Sequence, residues 1–587
     1  MERRVFIAIG LSFLVLYMYQ AYFAPPAPPP AKTTTSATAP AQTAQTAQAG
    51  SNPGKSTTPP PEAASTPAAP EPQALVGESS EHQIVVDTAK VQAIFTNRGG
   101  RLLHWRLKDY RDNNGRPVDL VPADLPDVEQ LPFSLRVDDA AATVRLNNSL
   151  YRVTGDTQGH VDATNGTAAV TFEYQDASGL HARKQFDFAP NNYIVRFTAS
   201  VTNGDRTINP NVVWGPGLGD ITPSASNPSF FNRSATVPPE LILHRAGKVE
   251  RLAMNTIAQQ PVQEAVFRFA GVDTHYFMMA AVNPGQVRVE ARPLVVNATQ
   301  GTRRQLVSSA FKFAGGATNK SYFIGPKQFD LLRSVEPLLA GAVYFGTFGW
   351  LAIPLLNALK WLHGIVGNWG WSIVLLTVLI NLAMFPLRHK SVVSMRRMQE
   401  LQPQLKAIQD RYAGLKATDP ARTKMNTEVM NLYREKGVNP ASGCIPMLLM
   451  MPVLFAFYAM LGYAIELRGA DFGWWIKDLS QPDPYFVIPI LVGITMFWQT
   501  WMNPTTGDPA QRNMMLVMPI MFSFIFLTTA AGTALYWLIS NMWGIGQQYF
   551  TNWMIGPPKV PVPPRPAAQR RIKNAGTGRT AGAEKPS

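Results

Sequence analysis

Thr377 and Asn381 lie one helical turn apart inside residues 370–387, GWSIVLLTVLINLAMFPL, a run with no charged side chain. Its length falls within the roughly 17–25 residues that cross a bilayer. Asn381 sits near the middle and needs a partner or water there. Four more apolar segments follow, at 445–465, 485–502, 514–529 and 532–550. Across these later segments recur Gln499, Thr500, Ser523, Thr528, Thr529, Thr533, Tyr536, Ser540, Asn541, Gln547 and Gln548. Uncharged groups of this kind tie helices together, at about a kcal/mol or less per contact, or hydrate a cavity. None of the five segments contains Lys, Arg, Asp or Glu, which argues against an ion-coupled transporter or proton pump.

Other chemistry is scarce. His82, His104, His160, His181, His244 and His275 show no metal-ligand spacing, and they read as scattered surface and core residues. Cys444 is the single cysteine, so no intrachain disulfide forms, and it reads as a small packing residue. The formal net charge of +14 suits anionic lipid or RNA and is concentrated in a few segments.

The elements that position these residues follow from composition. Residues 1–23 open with a short basic stretch and continue as an apolar run. Tyr22 and Pro25 do not suit a signal-peptidase site after Ala24, so the run reads as an uncleaved anchor. Residues 24–80 are rich in Pro, Ala, Thr, Ser and Gln, the composition of a disordered tether. Residues 81–330 carry short β-branched and aromatic runs such as KVQAIFT, AAVTFEY and YIVRFTASV, separated by turns such as Asn203-Gly204-Asp205. That texture predicts a large antiparallel sandwich.

Residues 331–368 lead into the first span. Within them, 345–366 is apolar enough to cross, yet Asn357, Lys360 and His363 recur along one helical face. A crossing would place the basic loop that follows on the outer side, against the positive-inside tendency. An amphipathic helix lying on the outer surface satisfies both observations, and a true span is the alternative. Arg388, His389 and Lys390 end the first span, and 388–440 holds eleven basic against five acidic residues. Leu401, Leu405, Ile408 and Tyr412, then Met425, Val429 and Leu432, recur at helical spacing and predict a helical hairpin. It is either a solvated positive-inside loop or a docking arm, with Arg396, Arg397, Lys406 and Arg411 the residues that would dock. Residues 551–587 form a basic, Pro-containing tail suited to anionic lipid or, from charge alone, to RNA.

The runs GNWGWSIVLLTVLINLAMFPL, GVNPASGCIPMLLMMPVLFAFYAML, DLSQPDPYFVIPILVGITMF and ALYWLISN, in that order, closely resemble the YidC-type insertases of the Oxa/Alb superfamily. The anchor, the tether and the strand-rich region with TNRGG at 96–100 are similar to the Gram-negative form. The resemblance implies a polytopic α-helical membrane protein, with an N-terminal anchor and a five-helix core at 369–550, carrying a large all-β periplasmic β-supersandwich. It implies insertion and folding of nascent membrane proteins in the bacterial inner membrane, alone or beside the Sec translocon, without a cofactor or enzymatic step. Both termini would be cytoplasmic, and ribosome, targeting receptor and lipid would meet the hairpin and tail, with no role for DNA. That family's sandwich shares its fold with sugar epimerases, but no carboxylate–histidine constellation is legible here.

The implied site is a hydrophilic groove containing Thr377, Asn381, Arg388, Ser540 and Asn541, with Tyr536 and Trp537 against the incoming apolar segment. Two departures stand out. The family usually carries an arginine where Asn381 stands, and Trp537 replaces the second member of a Tyr-Tyr pair. Arg388 lies seven residues on, about 10 Å further along the same face, and is expected with Lys390 to supply the missing charge.

Overall fold

The computed structural model describes residues 73–112, 114–122, 131–155, 158–219, 238–297, 303–314, 318–412, 421–438, 445–502 and 509–556. The expected anchor, nearly all of the tether, Cys444 and the basic tail beyond residue 556 lie outside the described residues. The chain forms two units. The first holds the strands and reaches Ala342, apart from Gln328–Leu331; the second takes these four residues and continues from Val343.

Among the described residues, the first unit forms a fourteen-stranded and a five-stranded sheet. The larger one is antiparallel through Ala168–Asp176, Leu180–Phe188, Ile194–Asn203, Thr318–Pro326, Phe277–Asn297 and Val262–Asp273. In the smaller one Gln83–Thr88 pairs in parallel with His160–Ala163, a departure from the antiparallel expectation. The strands also begin earlier than the tether's expected end, because Ala74–Val76 pairs with Ala168–Asp176.

Alternation along the strands drives the packing. Leu180–Phe188 buries every second residue, bringing Phe186 against Phe95 at 4.6 Å and Phe197 at 4.8 Å between ring centroids. Lys184 occupies one of these inward positions and is fully buried. Its ammonium donates to the carbonyls of Gly99 at 2.6 Å, Phe133 at 2.8 Å and Gly100 at 3.4 Å. Gly99 and Gly100 belong to the TNRGG turn and adopt φ of 70° and 54°. A Cβ on Gly99 would fall 2.4 Å from the Asn147 carbonyl oxygen, so the turn depends on glycine. Burial, reinforced by the nearby Arg101 charge, holds the Lys184 pKa well below its ordinary value.

The second unit is helical: Gly349–Val366, Trp369–Glu400, Gln402–Arg411, Ala421–Glu435, Ile445–Tyr463, Val487–Met502, Pro509–Phe526 and Ala531–Ile555. We refer to Trp369–Glu400 and the last four helices as the five core helices. The first core helix passes Pro386 and the basic stop without a break and runs 32 residues, about 48 Å. The hairpin proper therefore starts at Gln402, not at residue 388. Its two legs enclose Leu401, Leu405, Ile408, Met425, Val429, Tyr433 and Val438, with Tyr412 and Leu432 beside them.

Among the described residues, only the stretch Trp369–Met398 is both long and apolar enough to cross a membrane by length and composition. Met450–Tyr463, Val487–Met502 and Val517–Phe526 are shorter apolar stretches. The fourth core helix starts five residues before the segment read from the sequence, and its 18 residues extend about 27 Å. The last helix has length enough, with 25 residues, but carries Thr533, Ser540, Asn541, Gln547, Thr551 and Asn552.

Replacing Lys184 by Met keeps most of the volume and removes the donor to three buried carbonyls. We expect Lys184→Met to lower the stability of the sandwich by about 2–4 kcal/mol. Denaturant titration of the full chain, followed by hydrogen exchange in Leu180–Phe188, measures it. Because the folded pKa is lowered, the unfolded chain binds more protons between that value and about 10.4. Wild-type stability should therefore gain a component that rises with pH in that window, and this component should be missing in Lys184→Met.

Candidate functional site

The first and last core helices pack side by side, and their shared inner face carries the polar residues. Thr377 is fully buried and donates to the Ile373 carbonyl one turn back at 2.6 Å, an arrangement that satisfies the hydroxyl locally. Asn381 uses both ends of its amide. Its Nδ2 donates to the Thr377 carbonyl at 2.8 Å and reaches the Ser540 hydroxyl at 3.5 Å. Its Oδ1 accepts from Arg388 Nη1 at 3.0 Å.

Helical side chains lean toward the N-terminus, so the long Arg388 stem folds back along its own helix and brings a positive charge to Asn381. Arg388 Nε also lies 3.2 Å from the sulfur of Met450 on the second core helix. The two backbone positions are about 10 Å apart along the helix axis, and one side chain spans that distance. Lys390, its expected partner in this role, is exposed and does not join the cluster by any described bond.

On the last helix the implied residues divide. Tyr536 is buried, hydrogen-bonds Ser540 and stacks on Phe457 at 4.1 Å. Trp537 faces the fourth core helix, 5.3 Å from Phe526 and 6.3 Å from Phe522. Asn541, about 100° around the helix from Ser540, donates to Thr495 of the third core helix at 3.2 Å. Asn541 therefore ties two walls together and is not gathered with Thr377 and Asn381.

One end of the cluster is capped by the loop after the second core helix. Buried Asp483 accepts from the Trp475 indole at 3.0 Å, from Tyr485 N at 3.0 Å and from Ile488 N at 2.8 Å. It thereby caps the start of the third core helix. Ala531 N and Gly532 N donate to the carbonyls of Gln481 and Leu479 at 2.7 and 2.9 Å, which fastens the same loop to the start of the last helix. Asn368 holds the loop from the other side through the Asp471 carbonyl, and Gly370 leaves room for the Phe472 ring.

The helix Gly349–Val366 buries Ala352, Leu356, Leu359 and Leu362 and exposes Trp350 and Trp361. Its Lys360 bonds Asp330 and Glu466, each at 2.7 Å. Burial alone would lower the Lys360 pKa, but the two carboxylates outweigh it and hold the value above normal. His363 stacks on Trp369 at 3.8 Å. Asp483, Glu466 and the Asn368 contact were missed in the sequence. Pro-Asp-Pro marks Asp483 and Gly-Asn-Trp-Gly marks Asn368 only once the loop is seen, and no local signal marks Glu466.

The four residues expected to dock a partner do not behave alike. Arg397 and Lys406 are exposed. Arg411 is exposed but pairs with Glu428 at 2.9 Å. Arg396 is a correction to the docking assignment. It is only 9% exposed, and its guanidinium bonds Asn552 and, at 2.7 Å, the Gly556 carbonyl. There its charge complements the C-terminal end of the last helix.

Comparison with known proteins covers both units. The family model described as 60Kd inner membrane protein matches residues 361–557, and the one described as YidC periplasmic domain matches residues 83–358. A Geobacter metallireducens protein named membrane protein insertase YidC is 33% identical over 573 residues, covering 94% of this chain and 98% of its own length. A Syntrophus aciditrophicus protein of the same name is 33% identical over 489 residues, covering 81% and 86%. A crystal structure titled as an active YidC insertase with its first transmembrane domain resolved aligns over 82% of this chain and 95% of that one, at 20% identity and a TM-score of 0.33.

Asp483→Ala removes three hydrogen-bond acceptances at the capped end. We expect it to destabilise the helical unit by roughly 2–3 kcal/mol. Faster proteolysis within the loop and a lower unfolding temperature of the full chain in detergent would register the change.

Proposed function

This chain belongs to the YidC family of membrane protein insertases, and from that premise we propose how its polar cluster serves insertion. The cluster is the floor of a groove open to the cytoplasm and to lipid. Polar segments of a nascent membrane protein enter it, while apolar segments leave into the bilayer past Tyr536 and Trp537. Water held in the groove shortens the apolar barrier that a translocating loop must cross. The chain is multi-pass, with both termini in the cytoplasm and the sandwich in the periplasm. The excess of Lys and Arg in 388–440 supports that orientation. The helix Gly349–Val366, with its exposed Trp350 and Trp361, lies on the outer surface.

The observation that carries this reading is the 3.0 Å bond from Arg388 to Asn381. It brings a guanidinium to the depth where the family usually holds an arginine, although this chain has asparagine there. Arg388 then attracts acidic substrate segments, and Asn381 holds the guanidinium in place. At an effective dielectric near 20 an opposite charge about 4 Å away is worth about 4 kcal/mol, enough to bias entry. Binding and release require no covalent step, so we assign no enzymatic chemistry to the groove. Arg397 and Lys406 on the exposed side are the residues we assign to a ribosome, a targeting receptor or the Sec translocon.

Liposomes containing only this protein test the reading. Protease protection of a single-span substrate should be reached with the wild type. Arg388→Ala should slow an acidic-loop substrate about tenfold, equivalent to about 1.4 kcal/mol, and a neutral-loop substrate much less. Asn381→Leu should impair both. Equal rates for the acidic loop in wild type and Arg388→Ala would sink the assignment. Activity appearing only in Asn381→Arg would mean that the wild-type chain depends on a partner.

A further inference from the structure

The first and last core helices also meet on an outer face, away from Asn381. There they border an open cleft of about 610 Å³ lined mostly by apolar side chains, among them Val378, Leu382, Phe385, Met542 and Phe550, with Gln547 polar. The lining extends from Val374 to Phe385 on one helix and from Ile539 to Phe550 on the other, about 16 Å along each axis. The cleft is open along its length, and its mostly apolar lining suits extended hydrocarbon chains lying along it.

The two ends of the cleft differ in charge. Beyond Phe385 come His389, one turn on, and then the exposed Lys390 and Arg397. On the last helix Trp553 is 80% exposed and contacts Phe550 at 6.2 Å, an amphipathic ring at the same end. The opposite end, around Val374 and Ile539, has no Lys or Arg within a turn on either helix. An apolar cleft that ends in cations and an interfacial tryptophan matches a lipid with a negative headgroup.

We propose that this cleft binds one anionic diacyl phospholipid of the cytoplasmic leaflet, with its chains between the two helices and its phosphate at Lys390. The leaflet follows from the orientation given under Proposed function, while the occupancy does not depend on it. The lipid covers the outer side of the seam whose inner side carries Asn381 and Ser540.

The full-length protein, reconstituted in nanodiscs of mixed phosphatidylglycerol and phosphatidylethanolamine and then released into mild detergent, is read by native mass spectrometry. Gly546 is in the lining and a Cβ there meets nothing within 4 Å, so Gly546→Leu projects into the cleft. Leu382→Trp fills it from the other wall. Wild type should retain phospholipid enriched in phosphatidylglycerol, and either filling variant should lose at least fivefold of it. Lys390→Gln should keep a bound lipid but lose the enrichment. Wild-type retention in both filling variants, no change in enrichment with Lys390→Gln, or displacement of a co-purifying polypeptide instead of lipid would overturn the proposal. Insertion measured in parallel separates the two readings: lipid retention as expected with an inactive wild type removes the groove mechanism and leaves the lipid site standing.

Discussion

A hydrocarbon environment offers no hydrogen bonds, and the polar cluster around Asn381 is arranged around that fact. Asn381 is the clearest case. Its amide is shared among its own helix, the last helix and the Arg388 guanidinium, so a single side chain in the middle of the first core helix ties three groups together. Thr377 satisfies itself against its own backbone. Asn541 reaches Thr495, and Ser523 reaches the Pro489 carbonyl, each linking neighbouring helices. The resulting cluster carries one positive charge, on Arg388, which its amide partner holds in place.

The same constraint shapes the loop at one end of the cluster. Asp483 has both carboxylate oxygens occupied, and the backbone amides that open the last helix are taken up by carbonyls of the Asp483 loop. The other end is different. There the first core helix runs on past Arg388 to Glu400, and Arg396 fastens it to the end of the last helix. Stiffness at that end comes from helix continuity and one buried guanidinium.

In the sandwich, burial of Lys184 follows the same logic with a different solution. A charged residue at an inward strand position would be costly, and three backbone carbonyls from two turns surround it. The glycines of TNRGG make that possible by adopting left-handed conformations close to Asn147. The motif is thereby explained as a lysine socket, a purely structural role.

Local pattern determined much of this protein from sequence alone. Apolar runs placed the core helices, period-two alternation placed the strands, and helical spacing of Leu401, Leu405, Ile408, Met425 and Val429 placed the hairpin core. All of these depend on neighbours within a few residues. Whether Arg388 also meets Met450, whether Arg396 faces solvent, and whether Asn541 joins Ser540 or Thr495 depend on helices more than 40 residues away. The type of an arginine or asparagine shows that it will seek a partner. Only packing of the remote helix decides which partner lies within hydrogen-bond reach.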